Sequence, residues 1–298
     1  MTLPQFDSFS TTTHDGLRLD CQRYGTGERV ICVANGIGGT LLAWSPLLEA
    51  LKESFTFISW DYRGLYGSEA PRSTSALTIE DHARDLQSVM DQAEVERATV
   101  AGWSLGVQVA IQAAADIPDR INGLVLVNGT YGRIFDTAFT MPGSKQVLPL
   151  INQAAIAAGP LLPSIMRAGL KVPGLIGLME RTGMVDRRLD REIFWALAKN
   201  FPKLDFARYH TMLAHAAAHD GEPLLSTLDQ PMLMVVGGRD RMTPASILTT
   251  VSEHVPHVEI CHIPRGTHYS LIEYPDEVVG AVTDFLERNS AATFKETA

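Results

Sequence analysis

Three residues far apart in this chain have the types that acyl-group chemistry requires: Ser104, Asp240 and His268. A serine hydroxyl is a poor nucleophile at neutral pH. It needs a neighbouring base, the base needs an orienting acid, and the oxyanion that develops needs fixed donors. Gly102-Trp103-Ser104-Leu105-Gly106 joins an apolar run at 98–101 to a helix-forming run at 107–115. Gly-x-Ser-x-Gly between a strand and a helix is the sequence form of a sharp turn that holds its serine in strained backbone and exposes the hydroxyl. Taken alone the pentapeptide is also an ordinary Gly/Ser loop, and only its flanks separate the two readings. Asp240 follows Val235-Val236-Gly237-Gly238-Arg239, just past an apolar run, and reads either as a triad acid or as a cap leading into the segment at Pro244. His268 follows a strand-like run at 258–263 through Pro264-Arg265-Gly266-Thr267, and its alternative is a surface-loop histidine. Loops leaving the carboxyl ends of parallel strands converge on one edge, so the order Ser, Asp, His, each after a strand, favours a triad.

The donors for the oxyanion are expected to be the backbone N–H of Leu105 and that of Ile37 in the loop Asn35-Gly36-Ile37-Gly38-Gly39. A glycine-rich loop also suits phosphate, but neither a Gly-Lys-Ser/Thr ending nor Gly-x-Gly-x-x-Gly is present. Trp103, Asn35 and Gly36 flank these donors and are expected at the substrate. His215 and His219 have a spacing that suits a metal on a helix, but no third ligand stands at recognisable spacing, and a solvent-facing or capping role is favoured. No metal and no cofactor is expected.

These residues need a scaffold that brings strand ends together. Strand-like runs at 30–34, 55–60, 98–101, 123–128, 232–236 and 258–263 alternate with helical ones, the pattern of a mostly parallel sheet covered on both faces. The opening differs: 9–13, a His14-Asp15-Gly16 turn and 17–24 read as an antiparallel hairpin. A helix at 79–93 is opened by Thr78 with Asp81 three residues on, another is expected from Thr243-Pro244, and a last one spans 275–289. From 131 to 223 no β-rich run occurs and prolines punctuate short amphipathic stretches, which predicts a helical insertion between core segments 1–130 and 224–298. The tail 290–298 is expected to fray.

The 298 residues are 45% hydrophobic and 20% charged, as in a well-cored globular chain, and the formal charge of −9 argues against a nucleic-acid partner. No apolar run is long enough to span a membrane. Three widely spaced cysteines, Cys21, Cys32 and Cys261, read as reduced thiols. With no signal-peptide pattern in the first thirteen residues, the expected location is cytoplasmic. A small acyl substrate is the expected partner, and a homo-oligomer is left open.

Together NGIGG at 35–39, DYRGLYGS at 61–68, GWSLG at 102–106, GGRD at 237–240 and GTH at 266–268 resemble the α/β-hydrolase superfamily, over about residues 10–130 and 225–290. That resemblance implies an eight-stranded, mostly parallel sheet and a helical cap at 131–223. It also implies a serine carboxylesterase-like activity on an ester of modest size, with Asp61 and Arg63 as scaffold. Three departures stand out: Asn35 where many relatives have His, Tyr66 near the second Gly of Asp-x-Arg-Gly-x-Gly-x-Ser, and Val107 where many have a further Gly. Acyltransferase, thioesterase, lactonase, C–C hydrolase and perhydrolase use the same triad. A ligand-binding protein without turnover is the alternative from another class. Five methionines in the insertion (Met141, Met166, Met179, Met184, Met212) read either as helix packing or as an apolar ceiling over an acyl pocket.

Overall fold

The computed structural model describes residues 3–137 and 143–293. Eight strands form one sheet in the order β1-β2-β4-β3-β5-β6-β7-β8: β1 (Asp7–Thr12), β2 (Arg18–Tyr24), β3 (Arg29–Ala34), β4 (Phe55–Trp60), β5 (Ala98–Trp103), β6 (Ile121–Val127), β7 (Met232–Gly237) and β8 (Glu259–Ile263). Strands β1 and β2 pair antiparallel, as the hairpin reading expected, β2 meets β4 antiparallel, and every other pairing is parallel. This is the α/β-hydrolase arrangement expected from the resemblance. The central strands are mostly apolar because both faces are covered. Ala98, Val100, Leu124, Leu126, Met232 and Met234 pack into one core, and the residues between them, such as Ala101, Val125 and Leu233, into the other.

The first core is closed by α2 (Ile79–Gln92) and α3 (Leu105–Asp116), and the second by α1 (Ser45–Leu51) and α13 (Pro275–Thr293). At the start of α2, Thr78 and Asp81 form the reciprocal cap that their spacing predicted. One expected start is different: the helix after β7 is Ile247–His254 and does not begin at Thr243-Pro244. Thr243 is committed elsewhere, donating both its N–H and its hydroxyl to Asp240.

Between β6 and β7 the described residues contain seven α-helices, one short 3-10 helix (Phe201–Lys203) and no strand: α4 (Ile134–Thr137), α5 (Ser144–Ala157), α6 (Leu162–Gly169), α7 (Leu175–Thr182), α8 (Arg191–Asn200), α9 (Phe206–Ala218) and α10 (Glu222–Leu225). Their two ends are stitched together. Gly132 bridges Asp220, the Arg133 N–H donates to the His219 carbonyl at 2.9 Å, and the Gly221 N–H donates to the Tyr131 carbonyl at 3.0 Å.

The stretch after β4 carries the scaffold. Arg63 is fully buried and donates to both Asp85 and Asp15, so the buried charge has partners on two sides. Burial raises the half-buried Asp61 carboxyl from 3.8 to about 6, Asp20 adds to the shift, and the Gly67 N–H opposes it. A folded value above the unfolded one gives stability that is complete below about pH 4 and lost as pH rises through about 6. Asp61→Asn, neutral at every pH, should therefore melt a few degrees above the wild type at pH 8 and level with it at pH 4. The ceiling is about 3 kcal/mol, reduced by the water Asp61 still contacts. Equal differences at both pH values in scanning calorimetry would refute this.

Candidate functional site

Ser104 sits between β5 and α3 with φ 56° and ψ −117°, a left-handed backbone that a serine adopts only when its surroundings force it. The neighbouring chain leaves no alternative. A Cβ on Gly106 would lie 1.9 Å from the Ala34 carbonyl oxygen, and one on Gly102 would lie 2.4 Å from that of Gly106. The Ser104 N–H donates to the Val127 carbonyl at 3.1 Å, tying the turn to the end of β6. Val107 is accommodated by Gly129, where a Cβ would stand 2.2 Å from the valine Cγ2.

The loops after β7 and β8 bring Asp240 and His268 to this turn. Ser104 Oγ lies 2.9 Å from His268 Nε2, and His268 Nδ1 lies 2.8 Å from Asp240 Oδ2. A carboxylate only accepts, so the imidazole proton belongs on Nδ1 and Nε2 is free to accept from the serine hydroxyl. Asp240 takes two further bonds on Oδ2, from Asn128 Nδ2 at 3.1 Å and the Thr243 hydroxyl at 2.7 Å. Its Oδ1 accepts the N–H groups of Met242 and Thr243 at 2.8 and 3.0 Å. Burial pushes this carboxyl up, but His268 and the Thr243 donors outweigh it and hold the group below the usual carboxylate value.

Further residues position the histidine. Trp103 Nε1 donates to the His268 carbonyl at 3.0 Å, and the buried Glu273 accepts from the Thr267 N–H at 2.8 Å and its hydroxyl at 2.6 Å. The sequence does not mark Asn128 or Glu273 for this role, and it marks Thr243 only as the start of a helix. The one signal it carries for Asn128 is a polar residue directly after the apolar run 124–127.

The loop after β3 approaches Ser104 closely: a Cβ on Gly36 would be 3.2 Å from the serine Cβ. Among the described residues, neither the Ile37 N–H nor the Leu105 N–H has an acceptor, so both are available to an oxyanion. Tyr66 occupies the second glycine position at φ 47°, and its hydroxyl donates to the Gly38 carbonyl at 2.6 Å, bracing this loop. Asn35 stands apart from the expectation of substrate contact. Its Nδ2 donates to the Ser59 hydroxyl at 2.8 Å and its Oδ1 accepts from Trp44 Nε1 at 3.1 Å, so the side chain belongs to the core beneath the loop.

A cavity of about 360 Å³ opens over Ser104, lined on the core side by Gly36, Ile37, Trp103 and His268. The inserted helices supply Met166, Leu170, Leu175, Met179, Phe194 and Phe201. Of the five methionines considered for this ceiling, Met166 and Met179 line the cavity, Met184 does not, and Met212 is buried in the packing of α9. Met141 lies outside the described residues. None of the described lining residues is Asp, Glu, Lys or Arg. Two phenols, Tyr209 and Tyr269, also line it, and among the described residues neither hydroxyl has a hydrogen-bond partner. Burial pushes the Tyr269 phenol up to about 12, so it stays a neutral donor. His215 and His219 point to different partners, the Thr74 carbonyl and Gln112. Burial raises the thiols of Cys21 and Cys32 to about 12, which makes them poor nucleophiles.

Residues 29–275 match the family profile described as alpha/beta hydrolase fold. This chain belongs to that family. It is 27% identical over 286 residues to the protein named carbamate hydrolase RutD of Caulobacter sp. strain K31, covering 94% of this chain and 98% of that one. It is 22% identical to 3-oxoadipate enol-lactonase 2 of Acinetobacter baylyi, covering 96% and 99%. A solved structure named as an aryl esterase from Burkholderia cenocepacia superposes with a TM-score of 0.78 at 22% identity, covering 96% of this hydrolase-fold chain and all of that one, 100%.

Proposed function

We propose that this hydrolase cleaves a neutral, apolar carboxylic ester or related acyl compound of modest size, through a covalent acyl-serine. The observation that carries the reading is the 2.9 Å approach of Ser104 Oγ to His268 Nε2 on the floor of an uncharged cavity. Ser104 Oγ attacks the carbonyl carbon while its proton passes to His268 Nε2, and the electron pair of the carbonyl moves to oxygen, facing the N–H groups of Ile37 and Leu105. Collapse expels the leaving alcohol, which takes the proton from Nε2. Water then repeats the sequence on the acyl-enzyme, releasing the acid and restoring Ser104. Asp240 holds the imidazole and balances its charge when protonated.

A lactone reading has specific support, since a curated relative and a solved neighbour from Burkholderia xenovorans are both named enol-lactonases. In a lactone the leaving oxygen stays attached, and the serine chemistry is otherwise the same.

A p-nitrophenyl ester series from acetate to octanoate tests the substrate class. Each methylene buried in the cavity should raise kcat/KM by roughly threefold to fourfold until the space is filled, from about 0.8 kcal/mol of transfer energy. Met166→Gln and Met179→Gln should flatten that slope, whereas Met212→Gln should lower the melting temperature without changing it. A slope that is flat in the wild type would remove the apolar acyl site from this reading.

A further inference from the structure

Large apolar side chains that remain exposed are concentrated in one place. Of eight such residues among the described ones, seven lie between 147 and 178, each 50–66% exposed, and the eighth is Ile260 on the edge strand β8. Val147, Leu150 and Ile151 form a stripe along α5 at helical spacing, while Asn152, on its other side, is buried and donates to the His210 carbonyl. Leu161 and Ile165 continue the face onto α6, with Val172 and Leu178 beyond it. The two helices turn through 103° at the break between them, and no single helix among the described residues is long and apolar enough to cross a membrane.

The charge of this stretch is the reverse of the whole. The chain carries 34 acidic residues and a net −9, yet residues 138–179 contain no Asp or Glu, with Lys145, Arg167 and Lys171 among them. Arg181 follows, and the nearby Glu180 is held by Arg191. Lys145 pairs with Asp136 at 3.9 Å, while Arg167 and Lys171 stand exposed beside the aliphatic residues. An aliphatic face edged by such cations complements an anionic lipid interface, where apolar groups sink below the headgroups and Lys or Arg meet the phosphates. The same helix, α6, contributes Met166 and Gly169 to the wall of the cavity above Ser104.

We propose that α5, α6 and the segment to residue 178 form a face that docks on anionic lipid surfaces and admits apolar substrate dissolved there. The docking claim stands on the exposed face, and only its purpose rests on the esterase reading. Co-sedimentation of the full chain with phosphatidylcholine vesicles containing phosphatidylglycerol tests it. Binding should be at least about tenfold stronger than to pure phosphatidylcholine and should fall at high salt. Leu150→Ser/Ile151→Ser/Ile165→Ser and, separately, Arg167→Glu/Lys171→Glu should each weaken it by about tenfold or more. Both should keep the wild-type melting temperature and turnover of soluble p-nitrophenyl acetate. Ser104→Ala should bind as the wild type does, which separates docking from catalysis. Failure to sediment with anionic vesicles would overturn the proposal. So would a wild-type dimer in analytical ultracentrifugation that the triple serine variant converts to monomer, since the face would then join two copies of this chain.

Discussion

Ser104→Ala is expected to lose on the order of 10⁴- to 10⁶-fold in kcat on any ester the wild type turns over, with an unchanged melting temperature. The hydroxyl donates to His268 Nε2, which faces the cavity where water can take its place, and the left-handed turn is held by backbone contacts to Val127, Ala34 and Gly106 that alanine keeps. The residual rate would come from the oxyanion donors and from binding alone. A fluorophosphonate should modify the wild type once, on the peptide containing Ser104, and should leave the variant unmodified. Turnover within tenfold of the wild type, or an adduct on any other peptide, would dismiss Ser104 as the nucleophile.

The parts of this arrangement that the sequence announced share a physical property: each is specified by a few adjacent residues. Strands buried on both faces are mostly apolar, so β5, β6 and β7 stand out as short runs, and their carboxyl ends are marked by Gly102-Trp103, Asn128 and Gly237. Ser104, Asp240 and His268 then follow from position after strand ends. What was not legible depends on partners distant in sequence. Glu273 supports Thr267 from the following short helix, and nothing in a lone Glu before Tyr274-Pro275 announces that. Thr243 has the look of a helix cap and spends its donors on Asp240. Asn35 stands beside the serine loop in sequence and in space, yet its amide turns inward to Ser59 and Trp44 because β3 delivers it on the core side. The inserted helices are the hardest case. Amphipathic spacing says that one face of a helix is buried, but not whether it meets a cavity, as Met166 does, or other helices, as Met212 does.

Asp240→Asn isolates the orienting acid from the nucleophile, and it should cost about 10³- to 10⁴-fold in kcat with little change in KM. Five donors converge on the two carboxylate oxygens: His268 Nδ1, Asn128 Nδ2, the Thr243 hydroxyl, and the N–H groups of Met242 and Thr243. An asparagine presents one oxygen and one NH₂. If the oxygen stays with the two backbone N–H groups, the NH₂ faces His268 Nδ1 and forces the imidazole proton onto Nε2, where it can no longer accept from Ser104. Stability should move in the same direction. The native carboxyl titrates below its ordinary value, so it contributes stability above the unfolded value of 3.8 that is lost as pH falls through the lower folded one. The variant should therefore melt below the wild type at neutral pH, with the gap closing toward acid. Asn128→Ala removes one donor to the same oxygen and leaves the tautomer intact, so its rate loss should be much smaller than that of Asp240→Asn. Equal losses in the two variants would mean that Asp240 acts through packing of the loop and not through the protonation of His268.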